Sequence, residues 1–383
     1  MRFSQDADVA FVIPTRNRRD RLLATLERLG QTPGPDVEVV VADNASDDGT
    51  VEAVREAHPD VRVLALDSNR ESLARNVAAQ ATGSRVIVML DDDSYPEEGA
   101  TEALARALKD SSLGIAAAMV RLPDGIREEG GAPHVPIGCG MALRRADFLA
   151  LGGFAPYYGT YVEEYDLAIR MLDRGLRVEY LHDAVVTHEQ GERASFDFLV
   201  GRLMRNNVYL AYRFFPDADA QRFADWACKR YAVLADQKGA KEGYLNALSQ
   251  VKKAVKDGRR DRFDLADEAT LDMVFPYRLA RRRIAEALPD DARPVVFLRA
   301  GKEINDLIAA ARSLDHDVFA VYDDGLLSRL REIDGVPVRP IADFVSFDEH
   351  LVIGGLSPGF IENTKRLAVG TDWPTPVALD GSE

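Results

Sequence analysis

Asp91, Asp92 and Asp93 stand directly behind Val86-Ile-Val-Met-Leu90, an apolar run that reads as a strand buried on both faces. Side chains alternate along an extended chain, so Asp91 and Asp93 share one side and Asp92 takes the other. Two like-sided carboxylates repel unless a cation sits between them, and a hard divalent ion holding a diphosphate is the simplest occupant. A polar turn is the plainer alternative, because Asp-Asp-Asp-Ser-Tyr-Pro is good turn chemistry. Other polar clusters follow other apolar runs: Pro14-Thr-Arg-Asn-Arg18 after Val9 to Ile13, and Asp43-Asn-Ala-Ser-Asp-Asp48 after Val37 to Ala42. Each alone is an ordinary strand exit or capped turn. Glu163 and Glu164 open a helix-like stretch, where acids favour the helix dipole and Asp166 can pair with Arg170 four residues on. His188 closes Ala184-Val-Val-Thr187 and on its own reads as a satisfied polar residue.

The elements that must position these residues alternate. Strand-like runs at Val9, Val37, Val61 and Val86 are separated by helical stretches starting near Arg19, Gly49, Glu71 and Glu97. Such alternation predicts right-handed crossovers and a parallel, doubly wound sheet, whose ligands bind outside the carboxyl ends of the strands. From Leu113 to His188 the chain turns to shorter strands, glycine-rich turns and one helix from Glu163 to Arg174. From Ser195 to about Leu288 almost everything reads helical. Its arginine- and aromatic-rich stretch, Arg202 to Pro216, reads as core packing with a solvated face, membrane-surface contact being the alternative. An acidic, proline-containing break at Asp290 to Pro294 then precedes a second alternation, which predicts a small Rossmann-like domain. Its first turn, Arg299-Ala-Gly-Lys-Glu, lacks the complete dinucleotide fingerprint, so docking, regulation or oligomerisation is its expected role. The expected boundaries are 1–215, 216–291 and 292–383.

The 383 residues exceed one ordinary core, and 46% hydrophobic with 29% charged residues describes a globular chain. A net charge of −15 argues against a nucleic-acid groove or a broadly basic membrane face. Any anionic nucleotide must therefore be neutralised locally. Cys139 and Cys228 form neither a disulfide framework nor a zinc motif and suit a reducing compartment; Cys139, between Gly138 and Gly140, reads as packing against close backbone. The acid-bearing start Met1 to Asp8 predicts no signal peptide, and no apolar stretch is long enough to span a bilayer. A cytoplasmic location follows as the expectation, with peripheral attachment at the inner membrane face and homo-oligomerisation left open.

Taken together and in order, the motifs from Val9 to Pro216 resemble family-2 glycosyltransferases of the GT-A fold, which transfer sugars from nucleotide diphosphates. The resemblance implies a GT-A, Rossmann-like, mostly parallel α/β sheet, followed here by the helical segment and the small C-terminal α/β domain. It implies that Pro14, Thr15 and Arg16 lie along the nucleotide and that Asp43 with Asn44 contacts base or ribose. Asn69 and Ala74-Arg75-Asn76 are similar to the segment before the metal strand. The family usually has glycine where this chain has Glu71. Leu90 to Asp93 looks like the Asp-x-Asp motif, with Asp93 the metal ligand, Asp91 toward the nucleotide, and Asp92 beside it. Gly138 to Arg145 and Leu151 to Phe154 resemble the acceptor side, and recognition of the acceptor falls between Gly131 and Tyr161. Glu163-Glu-Tyr-Asp-Leu167 looks like the segment supplying the catalytic base, with Glu164 first and Glu163 second, although the family's usual aspartate is replaced by Glu164. His188 matches a histidine that reaches the metal or diphosphate, and the segment from Glu189 to Arg193 matches a lid. The implied activity is inverting transfer from a UDP-, dTDP- or GDP-sugar to an acceptor hydroxyl with Mn²⁺ or Mg²⁺, in glycan or glycoconjugate synthesis. A sugar-1-phosphate nucleotidyltransferase and a non-catalytic nucleotide- or glycan-binding scaffold are the competing readings.

Overall fold

The structure is a computed structural model, described over residues 1–128, 134–189, 194–287, 293–298, 304–327, 331–344 and 351–354. The chain divides into two compact units, the first formed by residues 1–130 and 135–267 and the second by residues 131–134 and 268–383.

In the first unit the expected alternation is present: β1 (Val9–Thr15), α1 (Arg19–Gln31), β2 (Glu38–Asp43), α2 (Thr50–Ala57), β3 (Arg62–Ala65), α3 (Ala74–Ala81) and β4 (Val86–Met89). A short 3₁₀ turn, Glu71–Leu73, leads into α3. There follow β5 (Ser94–Pro96), α4 (Ala100–Ala107), β6 (Leu113–Arg121), β7 (Arg127–Glu128), β8 (Met141–Arg144), α5 (Arg145–Ala150), α6 (Glu163–Asp173) and β9 (Arg177–His188). Among the described residues these strands make one sheet of order β3-β2-β1-β4-β8-β6-β9-β5, with β7 on β6. β3, β2, β1, β4, β6 and β9 run the same way, while β8, β5 and β7 oppose them. The sheet is therefore parallel where the first motifs lie and mixed beyond β4.

Apolar side chains fill the strands nearest the site. Phe11 and Ile13 of β1, Val39 and Val41 of β2, and Val86 and Val88 of β4 form one core with Leu22, Leu26 and Leu29 of α1. Burial on both faces explains why the Val86 run has no polar alternation. At the carboxyl ends of these strands the backbone leaves the sheet and polar side chains take over.

Three long helices close the unit: α7 (Phe196–Phe214), α8 (Asp217–Lys238) and α9 (Lys241–Arg260). α7 packs on both α8 and α9. It is the most buried of the three, enclosing Met204, Asn206 and the run Val208 to Tyr212. Here the structure corrects the expectation of a solvated arginine face, because Arg202, Arg205 and Arg213 all turn onto acceptors of the first unit.

The second unit contains α10 (Ala269–Val274), α11 (Pro276–Ala287), β10 (Val295–Leu298), α12 (Ile304–Arg312), β11 (Val318–Tyr322), β12 (Glu332–Ile333), β13 (Val336–Arg339) and β14 (Leu351–Gly354). Its sheet order is β12-β13-β11-β10-β14, parallel except for β12. The predicted helical segment and second small sheet are thus both present. The turn at Arg299 to Glu303 lies outside the described residues.

Candidate active site

Four loops meet at the carboxyl edge of the large sheet. β1 delivers Thr15, whose hydroxyl donates to Asp92 Oδ2 at 2.8 Å, and the following turn delivers Arg18. The Arg18 guanidinium bridges Asp92 and Asp93, lying 2.7 Å from Asp93 Oδ2. Asp92 is buried, and Thr25 of α1 also donates to its carbonyl at 2.8 Å. Burial raises the Asp92 carboxyl to about 7, against the opposing pull of Arg18. Both of its oxygens are engaged inside the domain, one by Thr15 and one by the guanidinium that it shares with Asp93.

Asp92 and Asp93 lie in a turn beyond β4 rather than in the strand, so the geometry of that turn, not strand alternation, directs Asp91 and Asp93. Both approach one imidazole nitrogen: His188 Nε2 lies 3.2 Å from Asp93 Oδ1 and 3.9 Å from Asp91 Oδ2. The opposite nitrogen, Nδ1, is 2.7 Å from Glu128 Oε2. Burial alone would lower the His188 pKa, but hydrogen bonds with Asp93, Cys139 and Glu128 outweigh it and hold the ring protonated. Asp91 keeps a third of its side chain exposed and pairs with Arg75 of α3. Carboxylate oxygens converging on one imidazole nitrogen are the donor types that Mn²⁺ and Mg²⁺ accept, so the residues fit a hard divalent ion.

On the β2 side, Asp43 is buried at the strand end. Its Oδ2 accepts from Ser46 N at 2.9 Å, while Oδ1 is buried with no hydrogen-bond partner among the described residues. Asn44 joins this loop to the next, accepting from Arg70 N at 2.9 Å and donating to Glu71 O at 3.3 Å. Pro14 is half-buried at the end of β1, and Arg16 is exposed beyond it.

Glu163 and Glu164 start α6. Glu163 is buried, with the Ser72 hydroxyl within hydrogen-bond reach. Glu164 is half-buried; its Oε1 would lie 3.0 Å from a Cβ built on Gly138, and Arg75 Nη2 would lie 3.8 Å from that same point. Arg75 therefore stands beside both Asp91 and Glu164. Burial raises both glutamic acids above the ordinary range, and Arg75 opposes the rise. Asp166 serves the framework instead. Fully buried, it accepts from Arg213 Nε at 2.6 Å and Tyr158 OH at 3.1 Å, and pairs with Arg170. The i, i+4 pair read from the sequence is present.

The loop before α6 is strained. Tyr161 and Val162 both have left-handed backbone, at φ 71° and 76°, a conformation costing about 1–3 kcal/mol for such residues. Asn206 of α7, fully buried, holds the loop by donating to the carbonyls of Tyr158, Thr160 and Tyr161 at 3.0, 3.0 and 2.7 Å. Arg205 adds a bond to Tyr158 O at 3.0 Å. Arg202 pairs with Glu71, which explains the departure from glycine noted in the sequence. Glu71 does adopt the left-handed φ, 52°, that glycine tolerates, and its carboxylate is used to hold Arg202 and Thr160. Gly159 has a left-handed φ of 68°, which favours glycine, and a Cβ there would also displace the Glu71 carboxylate and Arg202 from their pair.

The structure thus gathers Thr15, Asp91, Asp92, Asp93, His188, Arg75, Glu163 and Glu164 around one strand edge. Arg193 of the expected lid, and the start of the acceptor region at Gly131, lie outside the described residues. Sequence reasoning reached Arg18 only as the end of the polar strand exit Thr15 to Arg18, and did not single out Glu128, Arg202 or Asn206 for the site. Arg18 carried a signal, four residues into a polar strand exit, whereas Glu128 and Asn206 become partners only through tertiary structure.

This sheet, with its acidic carboxyl edge, defines an α/β domain of the GT-A type. Residues 10–160 match the sequence model of the family described as Glycosyl transferase family 2. That stretch of the first unit is thus similar to family-2 glycosyltransferases, over the same residues as the ordered motifs. The chain is similar to the succinoglycan biosynthesis protein ExoO of Rhizobium meliloti (strain 1021), 42% identical over 89 residues. That match covers 22% of this chain and 25% of ExoO, so the chain spans about a quarter of the length of the curated relative it matches. Among solved structures, it is similar to the mannosyltransferase PcManGT of Pyrobaculum calidifontis in complex with GDP-Man and Mn²⁺, at 19% identity and TM-score 0.44, covering 66% of this chain and 88% of that one. Residues 1–349 of S. aureus TarS in complex with UDP-GlcNAc give 17% identity and TM-score 0.48, covering 86% and 95%. No described helix is long and apolar enough to cross a membrane.

Proposed function

We propose that this chain is an inverting, metal-dependent glycosyltransferase that moves a sugar from a nucleotide diphosphate to an acceptor hydroxyl. One observation carries the reading: Asp91 and Asp93 converge on His188 Nε2 at the end of β4, while Glu164 stands across Arg75 from Asp91. Asp93 and His188, with Asp91 alongside, would hold Mn²⁺ or Mg²⁺. A divalent ion bound there supplies Lewis-acid stabilisation of the departing diphosphate.

The chain's own residues do the rest. Pro14, Thr15 and Arg16 line the nucleotide side, Asn44 fixes the adjoining loop, and the unpartnered Asp43 Oδ1 accepts from a donor on base or ribose. Arg18 neutralises Asp92 and Asp93, which lets two buried acids stand beside a third carboxylate in an acidic protein. Glu164 is the general base that takes the acceptor hydroxyl proton, being more open than Glu163 and adjacent to Arg75. A base acting from one face while the nucleotide leaves from the other gives inversion in a single displacement. The ExoO relative's role in succinoglycan biosynthesis supports a glycan acceptor.

Nucleotide release from a panel of UDP-, GDP- and dTDP-sugars, with and without Mn²⁺ and a saccharide acceptor, tests the proposal. Metal-dependent release of nucleoside diphosphate supports it. Pyrophosphate release would show a nucleotidyltransferase, and binding without turnover a scaffold.

A further inference from the structure

We propose that Cys139 is a third ligand of the His188 centre and makes it a thiophilic site, one that captures Zn²⁺ or Cd²⁺ through Asp91, Cys139 and His188. This rests on the metal site proposed above but concerns a residue whose glycine neighbours suggest only packing.

Three separate strands bring the donors together. Asp91 follows β4, Cys139 precedes β8, and His188 ends β9. One ligand atom of each lies within 4.8 Å of the other two. Gly140 makes this approach possible. It has φ 84°, its N–H donates to Met89 O at 2.7 Å, and a Cβ there would stand 3.2 Å from both Ala118 Cβ and Val186 Cγ2. The chain is thus drawn tight against β4, β6 and β9, and the preceding side chain is turned inward, where Cys139 is 1% exposed. Strand ends are stiff, so the triad does not depend on a mobile loop.

A second observation points to a metal ligand. Glu128 Oε2 lies 2.7 Å from His188 Nδ1, an arrangement that fixes the ring and presents Nε2 to the cluster. A carboxylate behind a histidine in this way orients the ring and raises its basicity toward a metal. A tetrahedral ion that bonds sulfur at about 2.3 Å and nitrogen or oxygen at about 2.0 Å spans most of the separation between these donors, and small side-chain rotations cover the remainder. Before metal binds, the thiol is protonated: burial, then Asp91, pushes it up to about 11. A bound dication deprotonates a coordinating thiol and displaces the Nε2 proton of the charged His188 ring, so both protons leave to solvent as the metal–sulfur and metal–nitrogen bonds form, while Nδ1–H stays on Glu128. Soft thiolate selects Zn²⁺ and Cd²⁺, whereas carboxylate and imidazole alone leave the hard ions better placed.

The test uses the full chain with Cys228→Ser, so that Cys139 is its single thiol, titrated with Cd²⁺ alone and no nucleotide. One equivalent of Cd²⁺ should produce an ultraviolet sulfur-to-metal charge-transfer band. Adding Cys139→Ser should abolish the band and weaken Cd²⁺ binding by at least about tenfold. Zinc K-edge absorption of the same Cys228→Ser protein, loaded with one Zn²⁺, should show one sulfur neighbour with nitrogen and oxygen, a readout that needs no variant at position 139. Only nitrogen and oxygen around zinc, or no charge-transfer band, would overturn the assignment. Because no sugar donor is present, this outcome is independent of the donor-panel result: the thiolate site can fail while transfer succeeds, and the reverse.

Discussion

At the ends of β2 and β4 the domain concentrates buried charge; at residues 157–162 it concentrates distorted backbone. Asp43, Asp92 and Asp93 are all buried, and Arg18 pairs with two of them. The loop before α6 is held largely by amide and guanidinium groups of α7 on its carbonyls. The difference suits the two chemical roles proposed for them. A site for a metal-bound diphosphate needs negative charge fixed in place before the ligand arrives, whereas a base needs one carboxylate aimed within a few tenths of an ångström. Arg75 is the link, since it touches Asp91 on one side and neighbours Glu164 on the other.

The sharpest way to separate the two edges is Glu164→Gln. It should lower kcat for transfer by about 10²–10⁴. In the parent enzyme, kcat should rise with pH through a midpoint above about 4.3, because a raised carboxyl stays protonated, and inactive as a base, to higher pH. Arg75→Gln removes the charge that opposes this rise and should move the midpoint further up in a pH–rate profile. A flat profile would remove Glu164 from the role.

Asn206→Ala breaks the acceptor edge without touching either glutamate. It removes the Asn206 amide from the carbonyls of Thr160 and Tyr161 and leaves Tyr158 O to Arg202 and Arg205, so thermal denaturation should show about 1–3 kcal/mol of lost stability. Transfer should fall about tenfold as α6 loses its fixed start, with nucleotide affinity unchanged. Loss of nucleotide affinity instead would mean that the two edges are not separate.

Glu71→Gly should have the smallest effect. Relief of the left-handed residue, about 1–2 kcal/mol, offsets a half-exposed ion pair with Arg202 of about 0–1 kcal/mol, so stability should change by about 1 kcal/mol or less. Amide hydrogen exchange across residues 157–162 should nevertheless quicken. If it does not, Glu71 only fills space that glycine would leave.

The donor edge was the more legible of the two in the sequence. Val86 to Leu90 followed by three aspartates marks a strand end with acids beyond it, although Asp92 and Asp93 lie in a turn that strand alternation does not govern. Asp91 and Asp93 both approach His188, but Asp92 and Asp93 are both buried and share Arg18. The strand–helix alternation through Leu90 and the small second sheet were readable from local period. The acceptor edge was not readable in this way. Asn206 and Arg202 are polar residues on a long amphipathic helix, and nothing in their spacing says that their partners lie some 45 residues earlier. Glu71 looked like a defect in a motif, since the sequence cannot show that its carboxylate has a partner on α7. Cys139 looked like packing because its glycine neighbours indicate close backbone approach; they do, and that approach is what brings its sulfur to His188.

The division between donor and acceptor edges is tested most directly by nucleotide affinity in the presence of Mn²⁺, measured by calorimetry for Asp93→Asn and Glu164→Gln side by side. Asp93→Asn should lose the metal-dependent part of binding while Glu164→Gln binds as the parent does. Equal retention by both, or equal loss by both, would contradict that division.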